Sequence, residues 1–402
     1  MKPILNVEDV VSEDADPTLV WEAVVSTAAQ HYVSDIHLGA QHDGYELSFR
    51  LDGELCRQGR LGPEFTRRLI QHVKSIAGID LAENRRPTEG RLKLTVDKRT
   101  IDLRVSVVPT IHGQDMVVRV FDSTVSLMGL TELGLLREQL SHLRDMIRRP
   151  NGLVLVSGPS GGGKTTTLYA VLRDLTDRQR KITTIEDPVE YDLESVNQTQ
   201  VNPRIGVTFA RLLTALLRQD PDIIMVGEIR DEETAVTAVR AANTGHLVLA
   251  TTHATRASRA VETMLSLGVH PYFLSTALRA VIAQVLVRRI CEHCKTPLPE
   301  TADIIIDDAV RKRLPPDTEP HLHQGAGCEH CRGTGYSGRM GLFELFIPDE
   351  NIKQLILERR GSAEIDRAVR TSDMLTLEQT GKVASLLGKT TMEEVVDVLP
   401  SV

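Results

Sequence analysis

The sequence predicts an α/β protein in which a doubly wound, mostly parallel sheet follows a separate α+β domain. Two patterns predict this organisation. Beyond residue 133, apolar runs at 153–157, 182–186, 223–227 and 247–252 alternate with helical segments, as expected for parallel strands that are buried on both faces. Before residue 123, the strand-like segments instead alternate polar with apolar residues, which is typical of strands with one solvated face.

The α+β domain is predicted to span residues 18–122, between an acidic leader at 1–17 and a linker at 123–133. It opens with a helical pattern over Pro17–Tyr32, and a second helix is predicted over Phe65–Ile76. Asp52-Gly53 supplies a turn. The predicted strands are Asp35–Leu38, Tyr45–Leu51, Arg91–Val96, Ile101–Val107 and Met116–Phe121.

The doubly wound domain is predicted to span 134–287, and two smaller parts follow it, at 288–345 and 346–402. Its clearest helix covers 209–217, where Phe209, Leu213 and Leu217 fall on one face. A chain of 402 residues exceeds one ordinary core, which agrees with this division.

The composition is that of a soluble globular protein, with 41% hydrophobic and 25% charged residues. A net charge of −8 argues against a nucleic-acid partner, because neutralising phosphates needs a basic surface. No apolar run is long enough to span a bilayer, and the acidic start does not resemble a signal peptide. We therefore expect a cytoplasmic protein.

A glycine-rich loop follows the first buried run and precedes a helical segment. It fills the pattern G-x-x-x-x-G-K-[ST], in which backbone N–H groups converge on a phosphate. Lys164 is expected to neutralise the β- and γ-phosphates, and Thr165 to reach Mg²⁺. The ligand expected from the motif is ATP or GTP. The residues predicted to bind it are Gly158, Pro159, Ser160, Gly161, Gly162, Gly163, Lys164, Thr165 and Thr166.

Acidic and histidine side chains follow three of the other buried runs. Glu186 begins the turn Glu186-Asp187-Pro188-Val189-Glu190, where a carboxylate could orient and deprotonate the attacking water. Glu228 closes the next run and is expected to hold Mg²⁺ through water. His246 and His253 bracket the fourth run, and His253 falls at the same sheet edge as the glycine-rich loop.

Four of the five cysteines form two C-x-x-C pairs. Such pairs favour a metal over disulfides in a reducing compartment, and four thiolates make a closed, structural Zn²⁺ site. His293 or His330 could replace one ligand, although four cysteines are the simpler set. The predicted ligands are Cys291, Cys294, Cys328 and Cys331.

Taken in order, these motifs resemble the secretion ATPases of type II secretion and type IV pilus assembly (the GspE/PilB family). The resemblance rests on the glycine-rich loop and on the stretches Ile185–Glu190 and Leu217–Asp231. It rests also on two short segments, Thr-Gly-His ending at His246 and Thr-His ending at His253. Ser34–His37 and Arg50–Gly53 resemble the amino-terminal domain of that family, so the likeness covers nearly the whole chain.

The resemblance implies a RecA-like ATPase domain after a PAS-like domain, and a homo-hexameric, Mg²⁺-dependent ATP hydrolase. It implies that Glu186 is the general base, that Glu228 belongs to the Walker B motif, and that His246 and His253 form the histidine box. Arg104 and Arg119 would reach nucleotide, in part across subunit contacts. The implied partners are an inner-membrane platform protein and a membrane adaptor, which would hold the protein at the cytoplasmic face of the inner membrane.

The cysteine element resembles that of members that extend a pilus or pseudopilus. A retraction or conjugation ATPase is an alternative, as is a nucleotide-gated assembly scaffold with little turnover. Three positions depart from the family pattern, namely Gly162 for serine, Thr252 for leucine and Val285 for arginine. The separate leading domain by which many relatives dock on a membrane partner is not expected, because only some thirty residues precede Ser34.

Overall fold

The computed structural model describes residues 3–5, 15–96, 99–122, 128–176, 179–298, 306–315, 321–370 and 374–399. The chain divides into two compact units, one of residues 1–126 with 327–334 and the other of residues 127–326 with 335–402. Residues 6–14 of the predicted leader and 123–127 of the predicted linker lie outside the described residues.

The first unit is an α+β fold built on one antiparallel sheet of six strands, in the order β3-β2-β1-β6-β5-β4. Residues 54–61, which lack a clear alternating pattern, form an edge strand that the sequence did not predict. The elements are α1 (Pro17–Gln30), β1 (Asp35–Gln41), β2 (Gly44–Leu51), β3 (Glu54–Leu61), α2 (Pro63–Ile76), β4 (Thr88–Val96), β5 (Arg99–Thr110) and β6 (Gly113–Asp122).

The core of this unit lies between the sheet and its two helices. Asp16 accepts a hydrogen bond from the main-chain N–H of Thr18 (2.9 Å) and so caps α1, and Pro63 begins α2 at a position where no N–H is needed. Trp21 of α1 and Phe49 of β2 are almost fully buried in the resulting core. On β5, the alternating apolar residues Ile101, Leu103 and Val105 are buried in this core, as expected for a strand with one solvated face.

The second unit contains a seven-stranded sheet in the order β15-β12-β7-β11-β10-β8-β9. A two-stranded sheet, β13-β14, lies apart from it. The elements up to β11 are α3 (Arg137–Ile147), β7 (Gly152–Ser157), α4 (Lys164–Leu175), β8 (Ile182–Glu186), β9 (Asn197–Gln200), α5 (Phe209–Leu216), β10 (Ile223–Val226), α6 (Glu232–Asn243) and β11 (Leu247–Thr252). The later elements are α7 (Ala257–Ser266), α8 (Pro271–Ala277), β12 (Leu278–Ile290), β13 (Lys295–Pro297), α9 (Asp308–Arg311), β14 (His323–Gly325), β15 (Tyr336–Phe346), α10 (Glu350–Leu357), α11 (Ser362–Arg370), α12 (Leu377–Leu386) and α13 (Met392–Val398).

The four predicted buried strands are β7, β8, β10 and β11, and they run parallel as expected. Leu155 pairs with Ala250, and Met225 pairs with both Leu249 and Thr184. Helices cover both faces of the sheet, so every residue of these four strands is buried. Because the strands are parallel, their carboxyl ends lie at one edge of the sheet.

The boundaries predicted at residues 287 and 345 fall inside strands. Strand β12 continues to Ile290, and β15 pairs with it in the antiparallel direction from Tyr336 to Phe346. Both strands therefore belong to the large sheet. The predicted boundary before the first cysteine pair separated β15 from the rest of that sheet. Val285, one of the departures from the family pattern, is buried in the core beside β15.

Glu344 on β15 is a buried carboxylate that joins two helix N-termini. It accepts hydrogen bonds from the main-chain N–H groups of Ala257 (3.1 Å) and Leu377 (3.3 Å), which begin α7 and α12. Burial raises the pKa of Glu344, the two main-chain hydrogen bonds oppose that rise, and among nearby charges Asp366 raises the pKa while Arg256 lowers it.

We expect Glu344→Gln to flatten the pH dependence of stability above about pH 4.5, the ordinary pKa of a glutamate. A carboxyl with a raised pKa in the folded state contributes most below its unfolded pKa, and that contribution is lost as pH rises through the folded pKa. The measurement is the free energy of unfolding of parent and variant from denaturant titrations between pH 4 and 9. Parallel curves would contradict this assignment.

Among the described residues, no helix is both long and apolar enough to cross a membrane.

Candidate functional site

The glycine-rich loop connects β7 to α4, as the motif requires. Gly158, Gly161 and Gly163 have φ values of 153°, 73° and 80°, in a region that side chains disfavour. The loop therefore needs glycine at these positions so that its main chain can close around a ligand. Ser160 and Gly161 are exposed, whereas Gly162 is buried.

Lys164 lies at the start of α4 and folds back on the loop. Its Nζ donates to the carbonyl oxygens of Gly158 (2.8 Å) and Pro159 (3.0 Å). Burial lowers the pKa of Lys164, and the nearby Glu228 opposes that shift. The ammonium group therefore lies against a loop whose main-chain N–H groups can bind a phosphate.

A cleft of about 130 Å³ opens beside this loop at the carboxyl ends of the parallel strands. Lys164 and Thr165 line one part of it, and the acidic side chains of Asp187, Glu190 and Glu228 line another. The strand directions thus bring together residues that are separated by more than sixty positions in sequence. A cation and hydroxyl facing several carboxylates suit a nucleoside triphosphate with its magnesium ion.

Glu186 also borders the cleft, but its carboxylate is buried and hydrogen-bonded within the protein. Thr184 Oγ1 donates to Oε1 at 2.6 Å, Gln198 Nε2 donates to Oε1 at 3.0 Å, and the Tyr169 hydroxyl donates to Oε2. Only 3% of Glu186 is exposed. Three donors thus converge on the residue that was expected to be the general base.

Tyr169 connects this buried carboxylate to the acidic turn. The main-chain N–H of Glu190 donates to the Tyr169 hydroxyl at 3.4 Å, and Gln198 Nε2 lies at the same distance. Burial, together with the neighbouring Glu186, raises the pKa of Tyr169, so the hydroxyl keeps its proton. Neither Tyr169 nor Gln198 belongs to a motif, so the sequence gives no signal that either lies at the site.

Glu228 follows β10 and lies between two basic side chains. Arg230 Nη2 approaches its Oε2 at 2.5 Å, and His253 Nε2 pairs with Oε1. Burial raises the pKa of Glu228, but Arg230 and His253 together lower it below the ordinary value. Glu228 and His253 therefore meet as the sequence predicts, and Arg230 is an additional partner that lies within the same motif.

His246 does not lie at the cleft. It precedes β11, whereas the cleft lies beyond the other end of the parallel strands, and its Nδ1 is 3.1 Å from the carbonyl oxygen of Ala241. The six residues of β11 separate the two histidines by about 20 Å at roughly 3.3 Å per residue. Only His253 therefore lies at the cleft, as its place after β11 predicts, and the role of His246 in the histidine box stays a prediction.

In the first unit, Arg104 and Arg119 occupy directly opposed positions on β5 and β6. The Arg104 guanidinium lies 4.6 Å from the centroid of the Phe121 ring, and Arg119 Nε donates to Asp35 at 3.1 Å. Arg91 of β4 is opposite Arg104 and forms a two-oxygen ion pair with Asp102. These positions continue one row across the sheet, so Arg91 lies on the same face as the two arginines that the sequence identified.

The four predicted cysteine ligands form one cluster. Their sulfur atoms all lie within 4.8 Å of one another, and the Cys328 and Cys331 sulfurs are 3.7 Å apart. Tetrahedral ligands about 2.3 Å from zinc are separated by roughly 3.8 Å, so this cluster fits a metal such as zinc. No disulfide joins any of the five cysteines. The Cys328 N–H also donates to the Cys331 sulfur at 3.1 Å, which suits a thiolate.

The strand-loop-helix arrangement, the lysine and the acidic cleft define a phosphate-loop nucleotide-binding protein. A family model described as "Type II/IV secretion system protein" matches residues 12–397, and the chain belongs to this family. Type II secretion system protein E of Klebsiella pneumoniae is 42% identical over 389 residues, covering 96% of this chain and 77% of that relative.

Two further comparisons agree with this membership. The type IV pilus assembly ATPase PilB of Thermus thermophilus is 40% identical over 378 residues, or 92% of this chain and 42% of PilB. The crystal structure of the pilus retraction motor PilT with bound ADP superposes with a TM-score of 0.64 at 26% identity, covering 94% of this chain and 97% of PilT. The names of these relatives indicate an ATPase of secretion or pilus assembly, and the predicted fold class is confirmed.

Proposed function

We propose that this protein is a Mg²⁺-dependent ATP hydrolase that works as a hexameric ring. It couples hydrolysis to assembly of a type II secretion pseudopilus or a type IV pilus through an inner-membrane platform protein. It would act at the cytoplasmic face of that membrane, held there by its partners. The observation that carries this proposal is the meeting of Lys164 and Thr165 with Glu190 and Glu228 in one cleft.

Each residue of the cleft has a distinct task in this proposal. The loop amides and Lys164 bind the phosphates, and Thr165 and Glu228 would hold Mg²⁺, which neutralises charge on the β- and γ-phosphates. Arg230 and His253 hold the Glu228 carboxylate between them in its ionised form. Arg104 and Arg119 would add positive charge from the first unit, in part across subunit contacts.

We assign the general base to Glu190 rather than to Glu186. A base must accept a proton from water, and the Glu186 oxygens already accept three hydrogen bonds inside the protein. Glu190 is only partly buried, and it lines the cleft. Its carboxylate would take a proton from water as the oxygen bonds to the γ-phosphorus. The bond from that phosphorus to the β–γ bridging oxygen breaks, and ADP leaves.

The experiment that tests the function is phosphate release from ATP by the full-length hexamer. We expect turnover with Mg²⁺ and none with a chelator, and at least about 100-fold loss in Lys164→Ala, because a charged hydrogen-bonding group on the transferred phosphate is removed. Arg359→Ala, an exposed residue at the end of α10, is the matched control for removing a basic side chain. A parent ring that binds ATP but never turns over, even with platform protein and lipid, would instead support an assembly scaffold.

A further inference from the structure

Gln284 is a buried glutamine on β12 whose side-chain amide contacts the phosphate loop. Only 1% of the residue is exposed, and its Nε2 donates to the carbonyl oxygen of Gly162 at 2.5 Å. The two residues are 122 positions apart in sequence. Among the described residues, Gln284 Oε1 has no hydrogen-bond partner although it is buried.

This arrangement is poor for stability. A buried amide oxygen without a partner carries a desolvation penalty, and an apolar side chain of similar size would fill the same space without it. The neighbouring residues of β12 are apolar and fully packed, so the position would accept such a side chain. The presence of a polar side chain at this position is therefore explained by the hydrogen bond that its N–H₂ group donates to the loop.

The hydrogen bond fixes the orientation of one peptide plane in the loop. In a trans peptide the C=O and the following N–H point in opposite directions. Because Gln284 holds the Gly162 carbonyl on the buried side of the loop, the N–H of Gly163 is directed to the other side, where a phosphate would be bound.

The main chain of the same residue supports the other end of the loop. A Cβ atom at Gly158 would clash with the carbonyl oxygen of Gln284, and one at Gly163 would lie 3.2 Å from Nε2. One residue of β12 thus contacts the beginning and the end of the phosphate loop, which explains why both positions are glycine.

We propose that Gln284 is a positioning residue of the phosphate site, which holds the loop amides toward the ligand before nucleotide binds. The inference rests on the proposed binding of ATP at this loop. The role requires a side chain that donates and carries no negative charge. Leucine cannot donate, and an ionised glutamate would both repel the Gly162 carbonyl and oppose the phosphates.

The test is equilibrium binding of ATP to the full-length protein, with Mg²⁺ and without turnover, between pH 5.5 and 8.5. We expect Gln284→Leu to weaken binding by about 3- to 10-fold at every pH, as for one lost hydrogen bond. We expect Gln284→Glu to weaken it by roughly tenfold or more at pH 8.5, because of the added charge, and to recover as the new carboxyl is protonated at low pH. The parent has no carboxyl at this position, so it should not show this loss of ATP affinity at high pH.

Gln139 provides a matched control in the same unit. It is also a buried glutamine, and its Nε2 donates to the main-chain carbonyl of Phe343 at 2.8 Å, away from the loop. Gln139→Leu should lower the melting temperature of the nucleotide-free protein and leave ATP affinity unchanged.

Equal affinity of Gln284→Glu and parent at all pH values would overturn the inference while leaving the proposed function intact. Loss of affinity in Gln139→Leu as large as that in Gln284→Leu would also overturn it, since the effect would then be general destabilisation. A parent chain that binds no ATP would overturn the proposed function and this inference together.

Discussion

Glu190→Gln is expected to slow ATP hydrolysis by about 10²- to 10⁴-fold, the range typical for loss of a general base. Glutamine keeps the size of the side chain but cannot take a proton from water, so ATP should still bind. The measurement is single-turnover phosphate release together with nucleotide affinity. Glu194→Gln is the control, because Glu194 is an exposed acid a few residues further along the same loop.

The matching change at Glu186 should act on stability instead. Tyr169, Thr184 and Gln198 all donate to the Glu186 carboxylate, and an amide offers one acceptor oxygen together with an N–H₂ group that would face a donor. We expect Glu186→Gln to cost about 1–3 kcal/mol of unfolding free energy, with hydrolysis within about tenfold of the parent. If Glu186→Gln abolishes hydrolysis without a change in melting temperature while Glu190→Gln stays active, Glu186 is the base after all.

Removing the metal is expected to have the largest effect on stability. Structural zinc sites contribute about 10 kcal/mol or more of apparent binding energy, and the four cysteine sulfur atoms lie close enough together to share one ion. We expect one zinc per chain, and loss of that zinc together with a lower melting temperature in Cys291→Ser. Elemental analysis and thermal unfolding, with limited proteolysis across residues 288–345, measure both effects.

Cys56→Ser is the control for this experiment. Cys56 is buried in the first unit and lies outside the four-cysteine cluster, so its replacement should leave the zinc content unchanged. Stoichiometric zinc in Cys291→Ser would exclude that residue as a ligand. A parent protein that holds no metal, and whose unfolding is insensitive to chelators, would contradict the assignment altogether.

Local patterns were sufficient for much of the site. The phosphate loop is a contiguous motif, and the four cysteines follow a regular spacing, so both could be predicted from sequence. Four buried strands were also correct, because continuous apolar runs of that length have few alternatives. Strand direction then placed Glu228 and His253 at the same edge as the loop.

The parts that could not be predicted depend on contacts distant in sequence. The hydrogen bonds of Glu186 involve Tyr169, which is 17 positions away on α4, and no local pattern shows that the carboxylate at the end of β8 is buried. Gln284 is further still from the loop that it contacts.

Strand β12 connects the phosphate loop to the first cysteine pair within the second unit. At Gln284 it contacts the phosphate loop, and it continues to Ile290, next to Cys291, a distance of about 20 Å at roughly 3.3 Å per residue, with a shift in its register against β15 between Arg288 and Ile290. From Gln284 to Arg288 the residues of β12 pair with β15, whereas the pairing of β12 with β7 ends at Ala283. A shift of the loop when a triphosphate enters or leaves would therefore have a direct main-chain route, along β12, to the first cysteine pair.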